Sequence, residues 1–142
     1  MLRSSDTIVV DTDAMIGLFN PNDVLASDAS ALLNTIVAAQ ATLIYPSTAI
    51  AETITTFQRK LNDKAAAAQI VQGIRAKDFI IEMVDQSVID AASALFNPQG
   101  SKQNTFFDAI VAAVAQKLNA TTVFSFDGWY EKVGLRLVAS VV

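Results

Sequence analysis

The chain contains no histidine and no cysteine, which narrows the chemistry open to it. A Ser-His-Asp triad cannot be assembled, nor can a histidine- or thiolate-ligated zinc site or a cysteine nucleophile. Any catalysis falls to carboxylates, helped by Lys, Arg, Ser or Tyr. Four acids stand where the sequence pattern draws them together. Asp11 follows the apolar run Thr7-Ile8-Val9-Val10, and Asp127 follows Phe124-Ser125-Phe126. Glu52 and Asp108 are each expected in the first turn of an otherwise apolar helix, within Thr48-Ala49-Ile50-Ala51-Glu52 and Asn104-Thr105-Phe106-Phe107-Asp108. Hard oxygen ligands of this kind suit Mg²⁺ or Mn²⁺. Without a counter-ion such a pocket is strained, because unit charges ~4 Å apart repel by about 4 kcal/mol at an effective dielectric near 20.

Each acid also has an ordinary structural role. Asp11 can cap the helix after its strand. Asp127, before Gly128, can hold a turn. Glu52 and Asp108 can favour a helix N-terminus electrostatically. The functional reading rests on their joint placement, which the surrounding elements must supply.

Short β-branched runs alternate with longer, alanine-rich segments of helical period. Strands are expected at 7–10, 42–45, 79–84, 121–125 and 135–138. Helices are expected at 14–19, 24–39, from Ser47 or Thr48 to about Leu61, 63–76, 86–96, and from Asn104 or Thr105 to Leu118. Asp63 is the expected cap of the fourth, and the last carries an apolar stripe of Phe107, Ile110, Val111, Val114 and Leu118. Repeated strand–helix alternation predicts an α/β fold: a three-layer α-β-α sandwich around a central, mostly parallel sheet of four to five strands. Its length of 142 residues suits one domain, 1–142, with no internal repeat or linker. Such sheets bind ligands beyond the carboxyl ends of their strands, where Asp11 and Asp127 fall. Helices that follow strands begin at the same rim.

Four segments carry a family resemblance. Val9-Val10-Asp11-Thr12-Asp13-Ala14-Met15-Ile16 resembles the opening of PIN domains, an apolar strand, Asp-Thr, and a short apolar helix. Ser47-Thr48-Ala49-Ile50-Ala51-Glu52 is similar to the family's Glu-bearing second motif. Phe107-Asp108-Ala109-Ile110-Val111-Ala112-Ala113 resembles its Asp-Ala-x-x-x-Ala helix. Thr122-Val123-Phe124-Ser125-Phe126-Asp127 is similar to its last strand, which ends in Thr-x-Asp. The four occur in family order across nearly the whole chain. Ser125 replaces a commoner Thr and keeps the hydroxyl; Asp13 replaces a commoner Asn, Ser or Thr, and reads either as a fifth acid of the site or as a cap.

The resemblance implies metal-dependent hydrolysis of RNA phosphodiesters. Asp11, Asp108 and Asp127 would be the principal Mg²⁺ or Mn²⁺ ligands, and Glu52 would bind metal or orient water. Thr12, Asp13 and Ser125 would support them. Small single PIN domains include the VapC-like toxins of toxin–antitoxin pairs, which implies a homodimer and a cognate antitoxin as partner. For substrate contact, Arg59, Lys60 and Lys64 read first as cations at helix ends, and Lys102 is better placed. Trp129 and Tyr130 read first as packing residues, with base stacking as the alternative.

Two other readings compete. Val10-Asp11-Thr12-Asp13 also fits the strand-then-Asp-x-Asp opening of haloacid dehalogenase-like phosphatases, with Asp11 as nucleophile and Asp13 as general acid/base. Against it, Met15 stands where Thr or Val is usual, and Asp127 lacks an acidic neighbour. A non-catalytic binding protein of the same fold is the other; the complete acidic set argues against it. The net charge of −4 speaks mildly against nucleic-acid binding, less so if several acids share a metal site. The start, Met1-Leu2-Arg3-Ser4-Ser5-Asp6, lacks an apolar signal core, and no stretch is long enough to span a membrane. The chain therefore reads as soluble and cytoplasmic.

Overall fold

Period-two alternation in two central strands decides the architecture. Ile8 and Val10 of β1 (Thr7–Val10) and Phe124 of β4 (Thr122–Phe124) face one side of the sheet; Val9 and Val123 face the other. All of these are fully buried, as expected of parallel strands covered on both faces. The computed structural model describes all 142 residues.

The first face carries four helices: α1 (Thr12–Phe19), α2 (Ala26–Ala38), α3 (Ser47–Arg59) and α4 (Lys64–Arg75). Their Met15, Ile36, Phe57 and Ile70 fill one core cluster. The second face carries α5 (Gln86–Leu95) and α6 (Phe106–Lys117), whose Val88, Val111 and Val114 fill the other. β2 (Thr42–Pro46), β3 (Ile81–Glu82) and β5 (Arg136–Leu137) complete the sheet, with short helices α7 (Trp129–Lys132) and α8 (Val138–Val141) around β5. The strand order is β3-β2-β1-β4-β5, and every pairing is parallel. The expected three-layer sandwich is present, with an all-parallel sheet. No helix is long and apolar enough to cross a membrane.

Local departures have local causes. The third strand shrinks from 79–84 to two residues because it is the sheet edge, where Ile80 and Met83 stand exposed. Phe79 leaves the strand and packs edge-on against Tyr45. Neither Ser47 nor Thr48 caps α3: Pro46 holds the N-cap position, and the Ser47 hydroxyl instead accepts from Val84 N. Asp63 caps α4 as expected. Ala109 to Ala115 of α6 are all buried, so that helix is enclosed rather than amphipathic. Phe107, expected in its apolar stripe, is 42% exposed, while neighbouring Phe106 packs edge-on against Phe96. Helix α7 falls where only a turn was expected.

The strand order reverses at β1, whose chain neighbour β2 lies to one side and β4 to the other. The crevice at such a reversal is where an open parallel sheet accepts a ligand. Asp11 leaves β1 there, and Ser125 leaves β4 beside it.

Candidate active site

Asp11 is both a cap and a member of the cluster. Its backbone stays in register with β4, Asp11 N donating to Phe124 O, and it then caps α1 with Oδ1 accepting from Thr12 N at 2.7 Å. Oδ2 accepts from the Ser125 hydroxyl at 3.0 Å. The side chain is 4% exposed. Burial first, then the charges of Asp13 and Asp108, raise its pKa well above the usual carboxylate range. The Tyr130 hydroxyl is buried against it but reaches no well-aligned hydrogen bond.

Asp13 does not cap α1, since Asp11 holds that position. It latches the helix to the segment after β4: Oδ2 accepts from Phe126 N at 2.9 Å and lies 3.1 Å from the Ser125 hydroxyl. Its other oxygen, Oδ1, is buried with no partner. Burial is the main cause of its raised pKa. Ser125 thus stands between two carboxylates while its own oxygen accepts from Asp127 N. One hydroxyl proton cannot serve both acids. With both ionised, Asp13 Oδ2 keeps Phe126 N as its donor when the hydroxyl proton serves Asp11 Oδ2.

Asp108 occupies the third position of α6, as expected, and closes a capping box with Thr105, whose N donates to its Oδ2 at 2.9 Å. Its pKa is pushed up to about 6, chiefly by burial and further by the charges of Asp127 and Glu52, against the Thr105 hydrogen bond. Asp127 performs its expected turn role, Oδ1 accepting from Trp129 N at 2.9 Å, while Oδ2 accepts from the Asn104 amide at 2.8 Å. Glu52 lies in the second turn of α3, beyond the first-turn position expected for it, and so has no helix-terminus role. Its Oε1 accepts from the Thr12 hydroxyl.

All four expected acids, with Asp13 and Thr12, line one open cleft of about 300 Å³. No three acids form a ready metal cage; hydrogen bonds hold them around the rim. The donor set still fits a hard cation. Every candidate ligand is a carboxylate oxygen, one buried Asp13 oxygen has no donor, and Mg²⁺ is commonly held by one or two carboxylates with retained waters.

The cleft corrects the expectation about Lys102 and agrees with a packing role for Tyr130. Lys102 is exposed and does not line it; Lys60 does, together with Thr56 and Gln103. Glu52, Thr56 and Lys60 are spaced at i, i+4 and i+8 along α3, a face readable from the sequence. Tyr130 is fully buried, which rules out base stacking; Trp129 is half-exposed. Asn104, expected only as a helix-opening residue, instead orients Asp127. No spacing signal marks it, because it lies outside the helix it precedes.

A search of curated proteins gives no significant match. Among solved structures, the fold is similar to that of VapC20 of Mycobacterium tuberculosis, a Sarcin-Ricin loop cleaving toxin. The TM-score is 0.76 at 22% identity, over 90% of this chain and 95% of that one. It is also similar to FitAcB from Neisseria gonorrhoeae, with a TM-score of 0.63 at 15% identity, over 92% of this chain and 95% of that one. At these identities the likeness is one of fold. The family model for the PIN domain matches residues 8–134, a span running from Ile8 of β1 past β4 and holding every acid of the cleft, and the chain belongs to the PIN-domain family.

Proposed function

We propose that this protein is a divalent-metal-dependent endoribonuclease, the toxin of a toxin–antitoxin pair, acting in the cytoplasm. The observation that carries the reading is the convergence of Asp11, Glu52, Asp108 and Asp127 on one cleft at the strand-order reversal of a PIN domain. Mg²⁺ or Mn²⁺, held by Asp11, Asp108 and Asp127 with Glu52 as a further ligand or water-orienting group, would supply an activated water and neutralise charge on the phosphate. The chain's own residues fix the geometry. Thr12 points Glu52 into the cleft, Asn104 and Trp129 N hold Asp127, and Thr105 N holds Asp108. Asp13 ties α1 to the β4 segment through Ser125 and Phe126.

The acidic net charge is compatible with an RNA substrate. Five of the fourteen acids and one of the ten basic residues belong to the cleft, leaving nine acids balanced by nine basic residues elsewhere. Lys60 is the one basic residue lining the cleft, and it supplies a phosphate contact. The phosphatase alternative loses its basis with membership of the PIN family; moreover, the Oδ2 of Asp13, its required acid/base, is engaged by Phe126 N and Ser125. A homodimer is part of this reading, through the helical surface of residues 24–76, where Val24 and Val37 are exposed. So is an antitoxin segment that covers the cleft. The test is cleavage of single-stranded RNA by wild type, Asp11→Asn and Asp108→Asn, with and without Mn²⁺, after folding of each is verified. Metal-dependent cleavage lost in both variants supports the reading; metal-independent or absent cleavage by the wild type overturns it.

A further inference from the structure

A second pocket, about 210 Å³, lies between the α5–α6 connection and α7. It adjoins the acidic cleft, since Thr105 lines both. Two of its residues, Asn104 and Trp129, are those that hold the two oxygens of Asp127. We infer that this pocket is a nucleobase subsite, receiving one unpaired base next to the cut phosphate; the inference rests on the ribonuclease reading above.

The chemistry of the lining selects a planar, hydrogen-bonding ring. Asn104 spends its amide N–H on Asp127, which leaves its carbonyl oxygen as an acceptor. Asn97 spends its carbonyl oxygen on Gln99 N, which leaves its amide as a donor. Both amide orientations are set by these bonds. A donor and an acceptor lining one pocket match the edge of an unpaired base, which presents both. Trp129 is half-exposed in the pocket, its ring packed edge-on against the buried Tyr130 at 5.2 Å, so a rigid aromatic surface is available for stacking. Ser101 adds a hydroxyl, and the exposed Lys132 adds a cation for the adjoining phosphate. Because Asn104 and Trp129 also hold Asp127, a base seated here lies beside the acids and positions its own phosphate toward them.

Trp129 is the only tryptophan in the chain, so its fluorescence reports occupancy without any need for catalysis. The experiment titrates the 142-residue chain in EDTA with the four nucleoside 5′-monophosphates and with a short 2′-O-methyl RNA that cannot be cleaved; ribose 5-phosphate is the control. Saturable quenching by nucleotides and not by ribose 5-phosphate is expected. Asn97→Ala, which alters an exposed side chain, weakens that binding by about tenfold, the loss of one or two hydrogen bonds. In cleavage assays the same variant raises KM and relaxes base preference at one position flanking the cut. Quenching without cleavage by any form would leave the subsite standing and remove the nuclease reading. Absence of quenching, equal quenching by ribose 5-phosphate, or unchanged binding by folded Asn97→Ala would overturn the subsite.

Discussion

Asp108→Asn separates the cost of the cleft from its use. Asp108 has a pKa of about 6 in the fold against an ordinary 3.8. Holding it ionised at neutral pH costs up to ~3 kcal/mol on that difference. The carboxyl is half-buried, and water screening brings the cost to about 1–2 kcal/mol. Asparagine removes the charge and can still accept the Thr105 N–H that closes the capping box. The metal-free variant should therefore melt higher than wild type at pH 7.5, by roughly 3–6 °C for a chain of this size. The gain should shrink to a small fraction near pH 4, where Asp108 is protonated in the fold and nearly half-protonated in the unfolded chain, and vanish below about pH 3. With Mn²⁺ the order reverses, because the variant lacks a ligand, and RNA cleavage falls by about a hundredfold or more. Thermal melts at both pH values, with and without metal, decide the matter. A variant that is less stable at pH 7.5, or whose gain is the same at both pH values, refutes the raised pKa. Near-normal cleavage by it refutes the assigned role.

Four further outcomes are expected. Metal-free wild type should lose stability as pH rises from 5 to 7.5. Asp11, Asp13 and Asp108 all have raised folded-state pKa values, so the fold binds more protons than the unfolded chain until those groups ionise; a urea midpoint that rises over this range would contradict the buried acids. Saturating Mg²⁺ or Mn²⁺ at pH 7.5 should raise Tm, by about 2.7 kcal/mol of stability at a hundredfold excess over Kd; no shift at millimolar metal counts against a metal site. Lys60→Gln should raise KM more than it lowers kcat and reduce the log–log salt slope of single-stranded RNA binding by about 0.7, and an unchanged slope would remove its phosphate contact. Sedimentation at micromolar concentration should show a dimer; a monomer would exclude the proposed helical interface.

The sequence showed the acids more clearly than their surroundings, for a physical reason. Asp11 and Asp127 are marked by the strands they leave, and Asp108 by the regular helix it opens; these are local signals. Glu52 was readable as an acid on an apolar helix, but its depth in that helix depended on where α3 starts. Pro46 set that start, against the expected Ser47 or Thr48 cap. Lys60 looked like an ordinary helix-end cation, and only the packing of α3 beside α1 brings its face to the cleft. Asn104 and Tyr130 act across the fold, Asn104 on a residue 23 positions later. No periodicity encodes such contacts. The edge strand β3 was overestimated because its apolar residues, among them Phe79, Ile80 and Met83, are shared between helix packing and solvent exposure.

The cluster also explains why so much rigid structure surrounds one cleft. Like charges at this separation would drift apart if their backbones were free to move. Here each is fixed by a neighbouring donor: Thr12 N for Asp11, Phe126 N for Asp13, Thr105 N for Asp108 and Trp129 N for Asp127. Three of these bonds are local, while Phe126 N ties Asp13 of α1 to the segment after β4, and the Asn104 amide ties the start of α6 to Asp127 of the same segment. Loss of the charge of Asp11 or Asp108 should relax the repulsion without freeing these elements, since asparagine keeps the oxygen that accepts from Thr12 N or Thr105 N. Stability without metal and activity with metal should accordingly move in opposite directions in Asp11→Asn and Asp108→Asn, whose burial raises their pKa values, each measured by melting and cleavage on the same preparation. A variant that loses both would mark its acid as structural and remove it from the proposed metal site.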